Sequence, residues 1–180
     1  MRKPGTRPTL DDLSEEVAEK ISLWASLVDS GDEMCGLWLH SAPREGSSYA
    51  ALAAVRELRH VERYQGGSFF AMTAYHAYTD LRSLWDADKS DAPSFAEWAS
   101  LDAEVHSNWS HNVLILDDWD DTVPTDFFMK HFYPRLRDRL KAQKPTIIAT
   151  RHDPSVTGVE APFFFDLFVV AEVDRSHAGR

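Results

Sequence analysis

Val113-Leu114-Ile115-Leu116 is apolar at every position and closes on two acids, Asp117-Asp118. A strand with one wet face alternates apolar and polar residues, whereas a strand apolar throughout is covered on both faces, as in the parallel sheets of α/β proteins. The run therefore predicts a sheet with helices on both sides. It also places paired carboxylates at the carboxyl edge of that sheet, where ligands bind in this class. Leu37-Trp38-Leu39, Ser68 to Met72, Thr146 to Thr150 and Phe164 to Val170 read as four more strands, and helical patterns separate them. Strands alternating with helices predict an α/β fold with a mostly parallel five-stranded sheet.

The helical patterns are explicit. From Thr9, Leu10, Leu13, Val17, Ile21, Trp24 and Val28 recur at helical spacing, and Gly31 supplies the stop. Ser47 or Ser48 is the expected cap of an alanine-rich helix running to about Arg63. Ala74, Tyr78, Leu81 and Trp85 mark another stripe, and Ser94 to Glu97 is a capping box ahead of Phe95, Trp98, Leu101 and Val105. The stretch 125–143 is helical in pattern, with a kink expected at Pro134. With 180 residues, the expected organisation is a loose basic arm over 1–8 and one domain over 9–180.

Cysteine and charge narrow the class. One cysteine, Cys35, rules out a disulfide framework and a four-cysteine zinc site, and it fits a reducing compartment. Met1 to Gly5 leads into polar residues, so no secretory signal is expected. The apolar run Phe163 to Ala171 is broken by Asp166 and too short to span a bilayer. The expectation is a cytoplasmic protein with no membrane partner. Nineteen basic and twenty-nine acidic residues leave a net charge of −10, unfavourable for nucleic acid on average. The basic residues cluster, however: Lys130, Arg135, Arg137, Arg139, Lys141 and Lys144 meet only Asp138 within 127–150. Arg135, Arg137, Arg139 and Lys141 are therefore the candidate contacts for DNA, weak and sequence-independent, or for an acidic partner; a solvated helix face is the plain alternative.

Two acids at a strand end suit a nucleotide site, where the first orients hydrated Mg²⁺ and the second polarises an attacking water. The partner motif is a phosphate loop after the first strand, and there the chain reads Ser41-Ala42-Pro43-Arg44-Glu45-Gly46-Ser47-Ser48. The pattern asks for glycine, four residues, glycine, lysine, then serine or threonine. Gly46 and the final hydroxyl, Ser48, are present; Ser41 replaces the first glycine and Ser47 the lysine. Arg44 offers a positive charge nearer the apex of the loop. Ser41 is expected to burden a tight turn with a side chain.

These motifs, taken in order, resemble those of AAA+ ATPases, and more narrowly the bacterial helicase-loader branch of DnaC-like and IstB-like proteins. Gly36 to His40 with the worn loop and Tyr49 to Ala53 are similar to its opening, Phe69 to Ala74 to its second strand, Asn112 to Asp118 to its Walker B strand, and Lys144 to Arg151 to its sensor strand. The similarity runs from about Glu16 to Asp174. It implies a P-loop NTPase-like fold, Mg²⁺ held by Ser48 and Asp117, catalysis through Asp118 if the site is active, and Thr150 and Arg151 at the sensor position. It also implies work in DNA replication with a replicative helicase or an initiator as partner. The departures imply weakened ATP and Mg²⁺ binding without hydrolysis: the lysine is missing, and Asp166 stands where the family's arginine finger is expected. Room for a separate helicase-binding domain ahead of the core is not expected either. The rival readings are an active ATP-dependent loader, for which Ser48, Asp117 and Asp118 suffice, and an IstB-like transposition accessory.

Other groupings say less. His106 and His111 are spaced poorly for two ligands on one helix face, and Arg151-His152-Asp153 lacks the histidines of a metal-dependent phosphohydrolase. Trp109 and Trp119 flank the acidic strand in polar surroundings, as core residues first and contact residues second.

Overall fold

Five strands, all paired in parallel, form one sheet in the order β2-β3-β4-β1-β5: β1 (Gly36–His40), β2 (Phe69–Thr73), β3 (Val113–Trp119), β4 (Thr146–Thr150) and β5 (Phe168–Glu172). The computed structural model describes residues 8–32, 34–42, 46–65, 67–73, 79, 107, 109–119, 133–154 and 165–174. The helices expected over 74–85 and 94–105, the first part of the one expected over 125–143, and Arg44 lie outside those residues.

The apolar runs behave as their composition requires. Leu37, Trp38 and Leu39 are buried, as are all residues of β4, so the two central strands are covered on both faces. The chain leaves β1, builds β2, β3 and β4 inward from the far edge, then crosses β1 to place β5 on its other side. That reversal sets the ends of β1, β3 and β4 side by side, the geometry that opens a crevice at a carboxyl edge. At the opposite end of β1, a Cβ on Gly36 would lie 2.5 Å from Cδ1 of Phe168 and 2.8 Å from the Leu167 carbonyl, so glycine alone lets β5 approach this closely. Trp38 meets Phe168 edge-on at 5.8 Å and Trp119 at 6.4 Å.

Helix α1 (Glu15–Ser30) follows a 3-10 turn at Leu10–Asp12; Ser14 caps its start and Gly31, at φ +76°, ends it in the left-handed region. Its buried stripe, Val17, Ile21, Trp24, Ala25 and Val28, packs on β5 and β1, and Trp24 Nε1 donates to the Cys35 carbonyl at 3.0 Å. Helix α2 (Ser47–Leu58) lies on α1, β4, β1 and β3 and stops five residues short of the expected end. Helix α3 (Tyr133–Lys141) buries Leu136 and Leu140. Strand β5 starts at Phe168, four residues later than its apolar run suggests, because Phe165–Leu167 forms a 3-10 turn. No helix among the described residues is long and apolar enough to cross a membrane.

One expected surface contact is corrected. Arg139 is 5% exposed and points into the protein, where Nε donates to Thr146 Oγ1 at 3.2 Å, Nη1 to the carbonyls of Trp109 and His111, and Nη2 to that of Pro145. It lies three residues after Leu136 and one before Leu140, so it shares their buried stripe. Its guanidinium ties α3 to the starts of β3 and β4 and is not available to DNA. Trp109 and Trp119 are buried too, and His111 stacks on Phe70 at 4.9 Å. The described residues hold no cluster of three potential metal ligands; His106 lies outside them.

Candidate functional site

Helix α2 is the next element after β1, and residues 41–46 link the two. Its N-cap is Gly46 at φ +112°, a conformation open to glycine and strained for other residues. The expected serine cap is replaced: no side chain caps this end, and Ser48 turns away to donate its Oγ hydrogen to Asp117 Oδ1 at 2.7 Å. Ser41 differs from expectation as well. Its φ is not positive, and its N–H donates to the Thr150 carbonyl at 3.1 Å, so the backbone there does not require glycine.

The acids follow an irregular path. Strand β3 does not stop at Leu116 but runs on to Trp119, with a register break against β4 between Leu116 and Trp119. Asp118 occupies that break at φ +54°, a left-handed conformation that costs a non-glycine residue about 1–3 kcal/mol. Asp117 Oδ1 accepts the Asp118 N–H at 2.9 Å as well as the Ser48 hydroxyl. Across the crevice, Thr150 Oγ1 donates to the Trp119 carbonyl and accepts from the His152 N–H, which fixes the turn carrying Arg151. Arg151 Nη2 then reaches Asp118 Oδ1 at 3.5 Å, with both side chains more than half exposed.

Ser41, Gly46, Ser47, Ser48, Asp117, Asp118, Thr150 and Arg151 all line one cavity of about 290 Å³, together with Ala42, Tyr49 and Ala149. Residues spread over more than a hundred positions thus converge at the ends of β1, β3 and β4. Arg135, Arg137 and Lys141, the remaining basic candidates, do not line it. The donor set suits a divalent cation with oxygen ligands: the Ser48 hydroxyl and the Asp117 carboxylate already meet at one point. An uncapped helix N-terminus beside them suits a phosphate. Sequence reasoning missed the Arg151–Asp118 pair, because thirty-three positions separate the partners and only the sheet order brings them together.

The sheet order is shared with solved structures. Over 93% of its length the chain superposes on 91% of the chain in a crystal structure of DnaI, with a TM-score of 0.65 at 18% identity, and over 90% of its length on 95% of the chain in a crystal structure of the DnaC helicase loader, with a TM-score of 0.57 at 16% identity. The fold is that of DnaI and of the DnaC helicase loader. A DNA replication initiation factor matches 92% of the chain with a TM-score of 0.66 at 13% identity, and there the chain spans about half of the other protein's length (49%). No family model and no curated protein matches the sequence.

Proposed function

We propose that this chain is a replication accessory protein of the helicase-loader type, whose nucleotide site binds weakly and does not hydrolyse, and which acts by assembling with a replicative helicase or an initiator. The observation that carries the reading is Ser47. It stands first in α2, on the cavity wall, where the phosphate-loop pattern asks for lysine. A serine there gives a β- or γ-phosphate no charge, and developing charge on a transferring phosphoryl group depends on that contact more than a bound phosphate does. Likeness to loaders and an initiation factor supports the setting. If Mg²⁺ and ATP bind, Ser48 and Asp117 hold the metal, which supplies charge neutralisation at the phosphates.

Mg-ATP titrated into the protein should show weak binding, and phosphate release should not rise above background. Turnover that vanishes in Asp118→Asn would overturn the reading in favour of an active loader, the rival that the intact Ser48–Asp117 contact favours. Gel filtration with a purified replicative helicase tests the partner: a complex that forms without ATP is expected, and its absence with both helicase and initiator removes the assembly role.

DNA binding, in this reading, falls to the outer side of α3. Arg135 and Arg137 are partly exposed and Lys141 is exposed, while Arg137 is already engaged with Asp138 at 3.3 Å. Few phosphate contacts on a chain of net charge −10 should give weak binding that fades steeply with salt. Tight binding of single-stranded DNA at physiological salt would refute this.

A further inference from the structure

We propose that Arg151 is the phosphate-binding cation of the cavity, performing from the end of β4 the task that position 47 no longer performs, and that its ion pair with Asp118 is the contact a polyphosphate must displace. The inference rests on the nucleotide-site reading above and deepens it. Among the described residues lining the cavity, Arg151 is the one cation, facing two carboxylates, Asp117 and Asp118. Without it the described lining holds no cation to offset those carboxylates. Its turn is pinned through Thr150 Oγ1 to β3, whereas its side chain is 53% exposed.

The pair itself is built to exchange. Its single contact is 3.5 Å long, at the outer limit of a hydrogen bond, and the carboxylate partner is 59% exposed. Exposed pairs of this kind contribute little, whereas a guanidinium meets phosphate oxygens with two parallel bonds. A di- or triphosphate entering beside the N-terminus of α2 therefore offers Arg151 a better partner than Asp118 does. Asp117 is held differently, by the Ser48 hydroxyl and the Asp118 N–H, so release of Arg151 leaves that arrangement in place.

The test removes Asp118's charge first, so that the loss of Arg151 is read without exposing a bare carboxylate. Binding of Mg-ATP and of tripolyphosphate is measured by calorimetry for the wild type, Asp118→Asn, and Asp118→Asn combined with Arg151→Ala, Arg151→Lys or Arg44→Ala. Asp118→Asn should bind both ligands more tightly than the wild type. Adding Arg151→Ala should weaken binding by about tenfold or more, the scale of one charge-assisted contact. Arg151→Lys should recover part of the loss, and Arg44→Ala should matter less. Equal affinity with and without Arg151, a larger loss at Arg44, or no binding of either ligand to Asp118→Asn at millimolar concentration would each overturn the proposal. Phosphate release measured on the same samples keeps the two readings apart: turnover by the wild type refutes the non-hydrolysing site, while the Arg151 comparison is read from affinity alone.

Discussion

Arg139→Ala should destabilise the domain by about 3 kcal/mol or more, a large share of the roughly 5–15 kcal/mol that holds a domain of ordinary stability together. The side chain is buried and, among the described residues, its partners are one hydroxyl and three carbonyls, with no carboxylate. Alanine leaves those acceptors facing one another in a low-dielectric interior, and each buried unsatisfied group costs about 1–3 kcal/mol. Arg139→Lys should recover little, since one ammonium cannot span partners that a planar fork reaches on several sides. Burial pushes the guanidinium pKa down from the ordinary arginine value to about 10, so the native state disfavours the charge that the unfolded chain accepts. Between those values the unfolded state binds more protons, and stability attributable to this group rises with pH there; below about 10 the cost is present in full. Arg139 is thus held by its bonds against its own charge. Urea denaturation of the two variants checks this, and a loss under about 1 kcal/mol would mean that water replaces the guanidinium at the carbonyls.

Arg139 also shows where the sequence stopped being legible. By composition the basic run over 127–150 is a charged face, although Leu136 and Leu140 mark a buried stripe on which position 139 falls. Spacing held the signal and charge masked it. The strands were easier, because apolar runs such as Ile147-Ile148-Ala149 have few ways to be satisfied other than burial on both faces. The expected end of β3 was wrong for a different reason: Asp117-Asp118 looks like the start of a loop, but the chain bulges at Asp118 and resumes pairing so that Trp119 reaches Trp38 and Thr150. A bulge depends on a residue accepting a left-handed backbone, and no pattern of polarity announces it. Likewise Ser48 looked like a helix cap because serine caps helices. Its actual partner, Asp117, is sixty-nine positions away, and no local rule reaches it.

Ser47→Lys alone should raise affinity for Mg-ATP by about tenfold to over a hundredfold. The position opens α2 on the cavity wall, one residue before the hydroxyl that meets Asp117, so a lysine stem there starts beside the phosphate-facing end of the helix. The charge-assisted contact it restores is worth about 1.5–3 kcal/mol, which sets the expected range. Ser41→Gly, the other departure from the phosphate-loop pattern, should add little or even cost a few tenths of a kcal/mol, because Ser41 does not hold a left-handed backbone and glycine loses more entropy on folding. A lysine also brings a second cation to a cavity where Arg151 and the two acids leave an excess negative charge. The dependence of affinity on Arg151 should therefore shrink in the Ser47→Lys background, since either cation can then neutralise a phosphate. Hydrolysis should stay at background, because no neighbouring chain is expected to supply an arginine where Asp166 stands. Calorimetry on Ser47→Lys, Ser41→Gly and the double variant reads the first effect, and phosphate release reads the second. If Ser41→Gly rather than Ser47→Lys restored binding, the obstacle would lie in the backbone of the loop and not in the charge at the head of α2.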